Sequence, residues 1–187
     1  MRKTSFVQQT TSAIKAFGGS MRHESDRAAV IVWFGVNDIY LWYLKRNDSI
    51  GSITRGTLTP PPLAGIFKTY QSNIERLYDA GLRNFLFLTM PTVNRATSVE
   101  MEKDLSGMSN QTEAEVYRHR EAVVRDIEAY NARILGMRSK LKARHADIET
   151  RIFDAHSWHA RVLETPLEFE TMHTVRSVES ICEPLEG

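Results

Sequence analysis

Short apolar runs alternate along the chain with longer stretches in which apolar residues return every three or four positions. Strand-length and helix-length patterns in alternation are the signature of an α/β chain. Residues 4–17 predict a first helix, with Phe6, Ile14 and Phe17 as its apolar positions and Gly18 and Gly19 closing it. A polar linker with Ser20, His23 and Asp26 leads into AAVIVWFG, residues 28–35. This run is too short for an ordinary helix and rich in β-branched residues, which predicts a buried strand over 28–34. The aromatic cluster IYLWYL follows Asp38, and a loop rich in Gly, Ser, Thr and Pro runs to Pro60, Pro61 and Pro62. Proline has its φ preset and no N–H to lose, so it predicts the next helix start.

Leu63, Phe67, Tyr70, Ile74 and Leu77 recur at helical spacing, and Gly81 is placed to cap that helix in the left-handed conformation. NFLFLTM, residues 84–90, predicts a second buried strand ended by Pro91. Residues 91–111 then form a loop of a length that marks function or disorder in a compact domain. Thr112 and Glu115 have capping-box spacing, and Val116, Val123, Ile127, Tyr130, Ile134, Met137 and Leu141 line one face of a long helix. Arg138, Lys140, Lys142 and Arg144 in its last turns complement the macrodipole. DIETRIFD alternates as an edge strand does, and His156 to Leu163 predict a last short helix. From Glu164 onward the periodicity is weak.

A heptad pattern also runs through the long helix, at 116, 123, 130 and 137 and at 120, 127, 134 and 141. Arg120 interrupts that seam and barely four heptads are present, so packing against the sheet is expected rather than a coiled coil. The 187 residues suit one domain, and 42% hydrophobic with 25% charged residues is the balance of a folded protein. A net charge of +1 gives no global basic field, which argues against nucleic acid or an anionic membrane as partner. A lone cysteine, Cys182, excludes an intrachain disulfide and a cysteine-rich zinc site. The start, MRKTSFVQQTT, lacks the apolar stretch of a signal peptide, and about 18 consecutive apolar residues occur nowhere, so the chain as written is expected in the cytosol.

The candidate chemistry is sparse. In VWFGVNDIY, residues 32–40, a strand runs into Gly35, Asn37 and Asp38. A side-chain amide at a strand's C-terminal end faces the crevice where α/β proteins bind ligands and can donate to a developing oxyanion. The alternative is a simple turn asparagine. Gly35 lets the chain turn sharply, and Asp38 either caps the following segment or holds Asn37. Asp154, His156 and His159 form D-x-H-x-x-H, which could present two imidazoles to a metal or merely a solvated helix face, the reading preferred here. Ser157 beside His156 is no nucleophile pair, since adjacent helical residues do not face each other. His173 reads as a solvated loop histidine and Asn131 as a partner of a neighbouring loop. Trp33, Trp42 and Tyr43 suit either a sugar or acyl pocket or the core. Neither G-x-G-x-x-G nor a P-loop occurs, which weakens nucleotide binding.

VWFGVNDIY resembles the third sequence block of the SGNH or GDSL hydrolases. YDAGLRNFLFLTMPTVNRAT is similar to that family's next helix end, strand and Pro-containing loop. AYNARI and IFDAHSWHARVLETPLEFE resemble its asparagine-containing helix and the strand, Asp and Pro segment after it, with a flavour of the fungal acetylesterase branch, carbohydrate esterase family 16. The likeness runs over most of residues 4–185. It implies a flavodoxin-like three-layer α/β/α sandwich that hydrolyses carboxylic esters, including acetylated carbohydrate, through a Ser, His and Asp triad without metal or organic cofactor.

In that scheme Asn37 is the oxyanion donor, with Gly35 and Asp38 supporting its turn. No Gly-Asp-Ser nucleophile motif occurs in these residues, and no Asp-x-x-His base motif follows residue 170. The expectation is therefore a single partial domain over residues 1–187, cut at both ends and holding strands 3, 4 and 5 of a 2-1-3-4-5 sheet. It would be inactive alone, with strand 28–34 left as an apolar edge for self-association. Family members are commonly secreted, in contrast to this chain's start. The alternative is a noncatalytic remnant that binds a ligand or partner.

Overall fold

A computed structural model describes residues 5–17, 27–39, 42, 61–95 and 113–165. The elements are α1 (Phe6–Phe17), β1 (Ala29–Val32), α2 (Leu63–Asp79), β2 (Asn84–Leu88), a 3-10 turn (Val93–Arg95), α3 (Glu113–Arg144), β3 (Glu149–Phe153) and α4 (Ala155–Glu164). Their order matches the α/β expectation. The chain divides into two compact units, one comprising residues 1–35, 60–89 and 129–153, the other 36–59, 90–128 and 154–187.

The first unit holds a three-stranded parallel sheet in the order β1-β2-β3. The register sets Val32 beside Phe87 and Phe85 beside Thr150. Side chains alternate between the faces of a strand, so Val32, Phe85, Phe87 and Thr150 share one face, and all four are buried. Helix α3 reaches this face, where Arg138 donates from Nε to Thr150 Oγ1 at 3.1 Å and from Nη2 to its carbonyl at 3.2 Å. The stripe predicted for α3 is buried wherever its side chains are described, from Val123 through Ile127, Tyr130, Ile134 and Met137 to Leu141. Thr112 and the side chains of Glu115, Val116 and Arg120, hence the capping box and the start of the heptad pattern, lie outside the described residues.

The opposite face is less covered, with Ile31 67% and Phe153 43% exposed. The expectation of a buried strand over 28–34 is corrected here. β1 has only four residues, Ala29–Val32, of which only Val32 is buried. An apolar run without alternation does not reveal whether both faces of its strand are covered. Among the described residues β1 pairs with β2 alone and is an edge strand. β3 lies at the other edge with the alternating burial its sequence predicts. Beyond β2 the ladder continues by one bond, from the Thr89 amide to the Phe153 carbonyl at 3.1 Å.

Helix α2 begins right after Pro62 and buries Leu63, Phe67, Tyr70, Ile74 and Leu77. It ends as predicted. Gly81 takes φ +111°, its amide donates to the Tyr78 carbonyl at 2.9 Å, and the Leu82 amide donates to the Leu77 carbonyl at 3.2 Å. That bond pair is a Schellman cap, which needs a left-handed residue. An aromatic cluster joins α1, α2, α3 and the end of β1. Phe6 lies 4.3 Å from Phe34 and 5.1 Å from Tyr70, while Phe67 lies 4.8 Å from Tyr130, all between ring centres.

The exit of β1 is closely packed. Gly35 has φ +113°, and a Cβ on it would stand 2.6 Å from Tyr130 Oη and closer still to Cζ. The Tyr130 hydroxyl donates to the Phe34 carbonyl at 3.1 Å. A side chain here meets both a left-handed backbone and an occupied space. Gly35→Ala is expected to lower the unfolding free energy by roughly 1–3 kcal/mol, read as an earlier urea midpoint. An unchanged midpoint would show that the turn tolerates a Cβ.

Candidate functional site

In a parallel sheet the C-terminal ends of all strands lie along one edge, where α/β proteins bind their ligands. Three segments leave the sheet at that edge. The first continues β1 through Gly35 into a helical turn at residues 36–39. Its Ile39 is buried, whereas Asn37 and Asp38 are exposed. Among the described residues the Asn37 side chain has no hydrogen-bond partner. Partial desolvation of the Asp38 carboxyl raises its pKa above the ordinary carboxylate value, and a backbone hydrogen bond opposes part of that rise. Trp33, next to the end of β1, is 53% exposed and is thus not a core residue.

The other two segments are joined within the second unit. His156 of α4 bonds through Nδ1 to the Met90 carbonyl at 3.2 Å, and His159 through Nδ1 to Thr92 Oγ1 at 2.6 Å. A carbonyl only accepts, so Nδ1 of His156 carries the proton. Burial lowers the pKa of His159, and the electrostatic effects of Arg95 and His156 lower it further. Arg95 pairs with Glu164 at 3.1 Å. Residues 90–95, after β2, are thereby clasped to α4. The signal for this clasp lay in the two histidines one helical turn apart, but nothing in the spacing pointed to Thr92, whose buried hydroxyl is a partner from 67 positions away.

D-x-H-x-x-H is therefore occupied by structural bonds. Asp154 caps α4, accepting from the Ser157 amide at 3.2 Å and from Ser157 Oγ at 2.7 Å. This is an N-cap of the usual kind. Among the described residues no three His, Cys, Asp or Glu side chains stand close enough to hold a metal ion. Ser157 donates from Oγ to Asp154. Asn131 and Trp42 are half-buried. His173, Tyr43 and Cys182 lie outside the described residues, as do most of the loops at 44–62 and 91–111. No described helix is long and apolar enough to cross a membrane.

No family model matches this chain. It is similar to a protein named acetylesterase from Thermothelomyces thermophilus, with 28% identity over 145 residues, covering 73% of this chain and 42% of that protein. The chain thus spans less than half the length of this curated relative.

The histidine clasp makes stability depend on pH with a definite sign. His159 has a folded pKa below its ordinary value of 6.5, so between those two values the unfolded chain binds more protons than the folded one. Stability then rises with pH through that window and is lost as pH falls through 6.5 toward the folded pKa. Urea midpoints at pH 8 and pH 5 should differ more for the parent chain than for His159→Gln. Equal differences would mean that His159 does not carry this linkage.

Proposed function

We propose that this chain belongs to an ester hydrolase of the SGNH or GDSL type, within one flavodoxin-like three-layer domain, and supplies the asparagine of its oxyanion hole. The observation that carries this reading is the turn after β1, where left-handed Gly35 leads to the exposed side chain of Asn37 beyond the C-terminal end of a parallel strand. The distant likeness to an acetylesterase supports it. The substrates would be acetyl or small acyl esters, acetylated carbohydrate among them, and no metal or organic cofactor is required.

The chemistry is acyl transfer to a serine activated by a histidine, followed by hydrolysis of the acyl-enzyme. As the carbonyl becomes tetrahedral, its oxygen gains negative charge, and a fixed amide N–H donor stabilises that charge more than it stabilises the ester. Such a donor contributes roughly 2.7–4 kcal/mol to the transition state in comparable enzymes. Gly35 makes the turn possible and Asp38 supports it. Neither the serine nor the histidine motif of this scheme occurs in these 187 residues. On this reading the chain alone does not turn over, and that same observation favours a second reading, a noncatalytic remnant that binds a ligand or partner.

The 187-residue chain should remain unlabelled by a fluorophosphonate ester while still binding acetate, the product anion. Asn37→Leu should weaken acetate binding about tenfold, the effect of one hydrogen bond to a charged group. Stoichiometric labelling of a serine would contradict the inactivity, and acetate binding indifferent to Asn37→Leu would contradict the donor role. We further propose that the edge of β1 is a contact between copies, since unpaired strand edges with apolar side chains associate. Sedimentation should show self-association that Ile31→Lys reduces, and a monodisperse monomer would contradict it.

A further inference from the structure

We infer that residues 92–95 are a latch on α4 that a proton on His159 releases. Residues 90–95 and α4 both belong to the second unit, and the latch is independent of the role proposed for Asn37. Bonds from His156, His159 and Glu164 tie the segment to the helix, and they respond differently to acid. His156 already donates a ring N–H to the Met90 carbonyl, so that bond survives a second proton on its ring and leaves Met90 as the pivot. The pair of Arg95 and Glu164 is exposed on both sides, and exposed pairs contribute little. The bond at 2.6 Å between Nδ1 of the half-buried His159 ring and the buried Thr92 hydroxyl is the one on which attachment of residues 92–95 depends.

A neutral imidazole meets that hydroxyl with one nitrogen, as donor or as acceptor. A second proton places a full charge on the half-buried ring. Among the described residues the groups acting on that charge are His156, one turn earlier on α4, and Arg95, from the segment itself. Both oppose it, as burial does, while Asp154 of the same helix end is engaged with Ser157. Release relieves two of these three causes at once, since the ring meets water and Arg95 leaves with the segment. The released ring therefore has a pKa nearer the ordinary 6.5 than the latched one. A proton then favours release: opening grows as pH falls through 6.5 and levels off below the latched pKa. Above that window neither state takes up the proton.

The released segment loses its turn as well. Val93–Arg95 is a single 3-10 turn, in which the Val93 amide donates to the Pro91 carbonyl at 2.8 Å and the Arg95 amide to the Thr92 carbonyl at 2.9 Å. Isolated helical segments shorter than about 12–15 residues are marginal in water, and this one has no other support once Thr92 is free. The two amides thus report the latch directly.

The test is hydrogen exchange of the full chain at pH 8 and pH 5, expressed as protection relative to the intrinsic rate at each pH. The Trp158 amide, which donates within α4 to the Asp154 carbonyl at 3.1 Å, is the reference. Protection at Val93 and Arg95 should fall by about threefold or more at pH 5 while that at Trp158 holds. In His159→Gln, whose side chain can bond to Thr92 but takes up no proton, the fall should disappear. Constant protection at Val93 and Arg95 in the parent chain, an equal fall at Trp158, or an undiminished fall in His159→Gln would overturn the latch. Should His159→Gln not fold, a pH series on the parent decides. Loss of protection should begin near pH 6.5 and level off below the midpoint of the His159 ring titration, read from its carbon resonances, and a loss that follows another course would overturn it.

Discussion

The contact between the buried ring of Tyr130 and the bare backbone of Gly35 is the constraint on which the first unit depends. α3 can bring its stripe to the sheet only if nothing stands between Tyr130 and the exit of β1, and only glycine leaves that space empty at φ +113°. The neighbouring contacts follow from this one. Phe67 of α2 packs on the tyrosine, Phe34 lies against Phe6 of α1 and edge-on to Tyr70, and Arg138, two turns further along α3, ties down Thr150 of β3. Burial of each large apolar side chain is worth roughly 1.5–3 kcal/mol. The glycine therefore contributes little itself and permits several such burials.

A parallel sheet directs all its exits to one edge, and the exit of β1 is held by a hydroxyl rather than by further strand pairing. The exits of β2 and β3 are treated differently. There the His156 and His159 bonds hold residues 90–95 against α4, and Asp154 is committed to capping that helix. Among the described residues Asn37 has no hydrogen-bond partner, whereas His156, His159 and Asp154 are engaged in structural bonds. That division is why an anion-stabilising role is proposed for the first segment and none for the others.

Much of the fold was legible because periodicity and punctuation report local physics. Pro62 and Gly81 bracket α2, and the spacing of Phe67, Tyr70 and Ile74 identifies its buried face. Coverage of a strand is a long-range property, which is why AVIV reads as buried although Ala29 and Ile31 are exposed. The same limit applies to the site. Asn37 and Gly35 stood out as neighbours in one motif, whereas Tyr130 read only as one more apolar position. Its bond to Phe34 spans 96 positions and has no local signature. D-x-H-x-x-H left a metal site and a solvated helix face open by spacing, with the helix face preferred, and only the fold reveals Met90, Thr92 and Ser157 as the partners that employ those side chains.

The central claim is that Asn37 stabilises an oxyanion, and a rate measures it most directly. A chimera would join these residues to the segments of the Thermothelomyces acetylesterase that lie outside the matched region, and its hydrolysis of an acetyl ester would be compared with that of its Asn37→Ala variant. The account predicts kcat lower by about a hundredfold to a thousandfold with KM little changed, because the donor acts on charge that exists only in the transition state. An active chimera whose kcat is unaffected by Asn37→Ala would contradict it.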